Sequence, residues 1–114
     1  PVLKHNLCAW YFTGDMAPVD YSRAAKWCHA AAVQGEKDAQ NNLALLYYTG
    51  NGVRRNFVLA YVWATIAVRS GFYEAASIKN DVVQYFTPNE ITYAETTARN
   101  WQVGQDILDP GSLR

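Results

Sequence analysis

Apolar residues recur along this chain at spacings of three and four, which predicts helices rather than strands. Ala24, Trp27, Cys28 and Ala31 form one such stripe within a helix expected over residues 21–34. Asp20 stands before it as an N-cap and Gly35 after it as a stop. Asp38 is the expected cap of a helix running to residue 48, with Ala39, Leu43, Ala44, Leu46 and Tyr47 facing inward. Asn56 then caps a helix over residues 57–69, closed by Ser70 and Gly71. A first helix over residues 2–12 offers Val2, Leu7, Cys8, Trp10 and Tyr11 for burial, and a fifth spans about residues 73–85. The last reaches about residue 103 with Ile91, Ala94, Ala98 and Trp101 on one face. Its start is the strongest local signal of the C-terminal third: Thr87 as cap, Pro88 at the first helical position, Glu90 completing a capping box. The expected fold class is all-α, six helices with no convincing strand, followed by a tail over residues 104–114 with a turn at Pro110-Gly111.

The pattern also repeats. Leu7, Tyr11, Thr13 and Gly14 fall on Leu43, Tyr47, Thr49 and Gly50, each 36 residues on. Ala24, Trp27, Ala31, Gly35 and Ala39 fall in the same way on Ala60, Trp63, Ala67, Gly71 and Ala75. A fixed period between about 20 and 50 residues marks a repeat architecture. The expected organisation is one domain over residues 1–103, with repeats at about 4–39 and 40–75 and a capping helix pair at 73–103. The decay of the pattern after Ala75 suits a terminal unit with a solvated outer face.

Composition narrows the function. Half of the 114 residues are apolar and four are tryptophan, enough for a packed core. The formal net charge is zero with charges scattered singly, so the basic footprint of a nucleic-acid binder is missing. No apolar run approaches the roughly 20 residues of a membrane helix. Cys8 and Cys28 fall on Ala44 and Ala64 of the second repeat. The expectation is buried packing as small hydrophobes; a bridge between the two helices of the first repeat is the alternative that sequence leaves open.

Two groups of residues could carry chemistry. His5, Cys8, Cys28 and His29 are four zinc-type ligands in one repeat, but neighbours on a helix point about 100° apart, so Cys28 and His29 do not converge and no metal is expected. The Ser-x-x-Lys motif is absent, Ser22 and Lys26 being four apart, and Asp20, Asp38 and Glu90 read as caps. No catalytic residue and no cofactor are expected.

The residues do resemble a known family. The second repeat supplies Leu43, Tyr47, Gly50, Gly52, Val53, Ala60, Trp63 and Gly71; the first supplies Ala24, Trp27, Ala31, Ala32, Gln34, Gly35, Ala39 and Gln40. Together they look like the Sel-1-like repeat, a tetratricopeptide-like unit with a Gly-x-Gly-Val loop. Met16 and Ala17 depart from that loop in the first repeat. The stretch from Thr87 to Trp101 is similar to a tail that ends bacterial members. The resemblance implies a right-handed superhelix of antiparallel helix pairs that serves as an adaptor or scaffold. It leaves the compartment open, exported or periplasmic in some members and intracellular in others.

In such stacks the first helices line the concave surface. Residues there outside the packing register are the candidate peptide-binding set: His5, Phe12, Asn41, Leu45, Tyr48 and Asp81, with Ser77 and Gln84 beside the last. The expected function is a non-enzymatic module holding a protein or peptide partner on that surface. Two alternatives stand beside it. One is a structural piece that either stacks into a longer array or self-associates through Val2, Leu3 and Trp10; the other, remoter, is a β-lactamase-like cysteine-rich relative. Two further readings would empty the groove of meaning: Phe12 and Tyr48 finishing the inter-repeat core, or the chain's own tail filling the groove with Ile107 and Leu108.

Overall fold

In a computed structural model the structure describes residues 8, 9, 11–14 and 18–107. The described residues are helical and contain no strand. Residues 8, 9 and 11–13 belong to the first helix, α1. Helix α2 is Tyr21–Val33, α3 Lys37–Thr49 and α4 Phe57–Arg69. A 3₁₀ turn at Tyr73–Ala75 leads into the short α5, Ala76–Val82, and a second at Val83–Tyr85 leaves it. Helix α6, Pro88–Asn100, closes the stack. Helix α3 packs on α2, α4 on α3 and α5 on α4, while α6 packs back on α4, which lies at the centre against α3, α5 and α6.

The 36-residue period holds at the level of single hydrogen bonds. Asp20 caps α2 by accepting from the Arg23 N–H at 3.1 Å, and Asn56 caps α4 by accepting from the Leu59 N–H at 3.0 Å. Their own N–H groups reach back to the carbonyls of Tyr11 and Tyr47, at 3.0 and 2.9 Å. Thr13 and Thr49 bond the carbonyls four residues before them, those of Ala9 and Leu45. The ends of α2 and α4 close alike, with Glu36 N–H on the Ala31 carbonyl and Phe72 N–H on that of Ala67. Sequence spacing has become a copied geometry.

Small residues set the helix spacing. Ala24, Ala31, Ala60, Ala67 and Ala75 are fully buried, as are Ala44 and Ala64. At the crossing where the second repeat places those last two alanines, the first places cysteines. Close approach leaves the Cα atoms of Cys8 and Cys28 only 4.7 Å apart, and the two are joined by a disulfide. This corrects the expectation of free, packed cysteines. The same crowding that demands alanine in one repeat puts two thiols in bonding range in the other.

Three smaller expectations also change. Asp38 lies in the first turn of α3, and Glu36 is the N-cap without a side-chain bond. The fifth helix shrinks to seven residues between two 3₁₀ turns. The sixth ends at Asn100 because Trp101 turns to extended backbone and buries its ring. The capping box of Thr87 and Glu90 is present in full. Gln40 was not expected inside; it is fully buried and donates to the Ala32 carbonyl at 3.2 Å, tying α3 to α2.

Candidate functional site

Asn41, Leu45 and Tyr48 are spaced by four and three along α3, which puts them on one stripe. All three are half-buried, and Leu45 packs partly against the core. Tyr48 is the anchor. Its hydroxyl donates to the carboxylate of Asp81 on α5, and its ring stacks on Phe57 with centroids 5.8 Å apart. Phe57 meets Tyr85 at 5.6 Å, and the Arg55 guanidinium lies 5.0 Å from the Phe57 centroid. Tyr85 is 62% exposed, so the row of rings ends on an open face. Gln84 braces Asp81 from one turn away, its amide donating to the Asp81 carbonyl and carboxylate at 2.8 and 3.2 Å.

The electrostatics follow from that pairing. Acceptance of its proton by Asp81, and secondarily the loss of water around it, hold the Tyr48 hydroxyl above the ordinary phenol range. A second pair of the same kind joins α4 to α6, where Tyr61 donates to Glu95. Burial comes first there and the carboxylate second in raising the Tyr61 phenol. Phe86 sits edge-on to that ring at 5.6 Å and the Lys79 ammonium lies 5.4 Å from its centroid. This second pair is a clasp between helices. The first borders an open surface.

Of the six residues expected on the binding face, the structure gathers Asn41, Leu45, Tyr48 and Asp81. Phe12 packs edge-on against Tyr21 at 6.1 Å within its own repeat. His5 lies outside the described residues, as do Val2, Leu3 and Trp10. Ser77 turns back to the Glu74 carbonyl. Phe57, Tyr85 and Arg55 were missed. The register contained the signal for Phe57: Phe12 and Tyr48 are one period apart, and so are Tyr21 and Phe57. The ring pair at the helix turn is thus a repeated feature.

A cavity of about 310 Å³ is lined by other residues, Tyr47, Val53, Arg54, Asn56, Leu59 and Ile107. It holds no cluster of ionisable groups, so the ring row rather than the cavity defines the candidate face. Of the two tail residues expected in the groove, Ile107 lines this cavity and Leu108 lies outside the described residues. The bridged Cys8 and Cys28 cannot act as zinc thiolates, and no metal-binding cluster forms among the described residues. No described helix is long and apolar enough to cross a membrane.

Comparison with known proteins agrees with this geometry. The family model of the Sel1 repeat matches residues 4–36 and 37–72. No curated protein matches. Among solved structures, one similar fold is c5321, a protective antigen present in uropathogenic Escherichia coli strains and displaying an SLR fold. The two are 28% identical with a TM-score of 0.77, over 86% of this chain and 21% of the antigen. The chain therefore spans about a fifth of that structure. Two stacked helix pairs with matched caps, glycines and tryptophans, each covered by the repeat model, carry the conclusion: the chain belongs to the Sel1 repeat family.

Proposed function

We propose that this chain is a non-enzymatic adaptor that holds a peptide or helix of another protein across the face bearing Asn41, Leu45, Tyr48 and Asp81. Sel1 repeat folds are generally protein-interaction modules, and the reading here concerns where and how this one binds. The observation that carries it is the row Tyr48, Phe57 and Tyr85 ending in an exposed ring beside a braced carboxylate. Rigid aromatic area supplies binding energy at low entropic cost, and a fixed acceptor orients backbone N–H groups of the ligand. Arg55 over Phe57 adds a donor at the rim. Four carboxylates are already engaged, Asp20 and Glu90 as caps and Asp81 and Glu95 on phenols.

The test uses peptides selected against the whole chain from a displayed random library. Tyr85→Ala should weaken them by at least about tenfold, the size of a modest hot spot, with the helical circular dichroism unchanged. Tyr73→Ala, which removes another highly exposed ring, should leave affinity alone. Equal binding by the Tyr85 variant and the parent would overturn the assignment of this face.

A further inference from the structure

Beyond α6 residues 101–107 stay on the molecule. Trp101 buries its ring edge-on against Trp63 of α4 at 5.8 Å, and Trp63 meets His29 of α2 at 6.3 Å. From this anchor the tail runs back along α2. Gly104 N–H donates to the Val33 carbonyl at 2.7 Å, one of the last carbonyls of α2 and so without a partner inside the helix. One turn earlier on α2, His29 Nε2 meets the Asp106 carboxylate at 3.0 Å. Ile107 then reaches the wall of the 310 Å³ cavity beside Tyr47, Val53 and Leu59, with Arg54 at its rim. The tail folds on itself as well: Trp101 Nε1 donates to the Gln105 carbonyl at 2.8 Å, and Gln102 N–H to the Gln105 side chain at 2.9 Å.

These contacts have the form of a peptide complex made within one chain. A main-chain N–H finds a helix-end carbonyl, a carboxylate finds an imidazole, and an aliphatic side chain joins Val53 and Leu59 in the wall of a cavity. The hold is light, because residues 102–106 are all exposed and only Trp101 is buried. The cavity beside Ile107 is of the size that binds ligands, about 300 Å³ or more. We propose that the groove between α2 and the start of α4 is a second docking track, taking an extended segment of a partner protein with the pattern small residue, any residue, acidic, aliphatic. The chain's own Gly104–Ile107 is its resident occupant, and a partner segment must displace it. The track is built from residues other than those of the ring row and stands independently of the function proposed for that face.

Occupation by the tail lowers the apparent affinity for any competitor in proportion to the fraction of open groove. The experiment uses the whole chain and a synthetic peptide of residues Gln102–Ile107, followed by chemical-shift titration. The double variant Asp106→Ala with Ile107→Ala should bind the peptide at least about tenfold more tightly than the parent. Adding His29→Ala to that variant, or replacing the aspartate of the peptide by alanine, should reverse the gain. Absence of binding to the loosened variant, or equal binding to both proteins, would overturn the proposal. Amide exchange gives a separate check in the unmodified chain. Gly104 N–H should exchange more slowly than its exposed neighbours, and free exchange there would remove the resident occupant.

Discussion

Gly52 shows how one residue can carry an inter-repeat contact. Its φ of +76° lies in the left-handed region, and a Cβ built there would sit 2.1 Å from the Tyr21 carbonyl oxygen of the preceding repeat. The second glycine of the Gly-x-Gly-Val loop thus lets one repeat's loop lie on the helix start of the preceding unit. Gly52→Ala should cost more than the 1–3 kcal/mol, roughly, of backbone strain alone. Gly104→Ala is the control, since its φ is +92° and nothing lies within 4 Å. Thermal unfolding should place the Gly52 variant well below the Gly104 variant; equal midpoints would refute the packing argument. Tyr48 and Tyr61 make a second residue-scale prediction. Both phenols are held above their ordinary range, so the folded state keeps protons that the unfolded state releases above about pH 10. Their contribution is complete below that pH and is lost as pH rises further. Unfolding midpoints should fall through this alkaline window, and Tyr61→Phe should flatten the fall.

At the scale of elements, α6 is held at both ends by groups of different origin. Its start is local, since Thr87 and Glu90 exchange hydrogen bonds with each other's backbone N–H at 3.2 and 2.9 Å, and four residues of sequence suffice to predict it. Its end is not local. Arg69, 29 residues earlier, donates Nη1 to the Ala98 carbonyl at 2.7 Å and Nη2 to that of Trp101 at 3.1 Å. A cation there also favours the negative end of the helix dipole. Arg69→Ala should cost about 1–2 kcal/mol and speed amide exchange in the last turn of α6 while leaving its first turn protected. Arg69→Lys should recover only part, because one ammonium cannot reproduce the fork. Exchange that rises evenly along α6 would count against this role. The helix end is not legible in the sequence for the same reason: Trp101 leaves the helix to bury its ring against Trp63 on α4.

For the whole molecule, the Cys8–Cys28 bridge joins the first helix pair across a separation of 20 residues. Closing a loop of that length restricts the unfolded chain by about 3 kcal/mol in the entropic account. Cys8→Ala with Cys28→Ala should lower stability by about that amount. The loss should concentrate in α1 and α2, because the second repeat holds the same crossing with Ala44 and Ala64 alone. Hydrogen exchange of the double variant would show it. Loosening confined to α4 and α6 would contradict the assignment.

The period, the helix count, the caps at Asp20, Asn56 and Thr87, and the stripe of Asn41, Leu45 and Tyr48 were all legible in the sequence. Each rests on spacing along one helix or on a bond spanning four residues or fewer, and such interactions are encoded where they act. What the tertiary structure decided is which distant groups meet. It bridged Cys8 to Cys28, joined Tyr48 to Asp81, set Phe57 and Tyr85 in one row, and laid Gly104–Ile107 along α2. Those outcomes depend on how closely alanine-lined helices approach and where the last helix releases the chain, distances that no local pattern records.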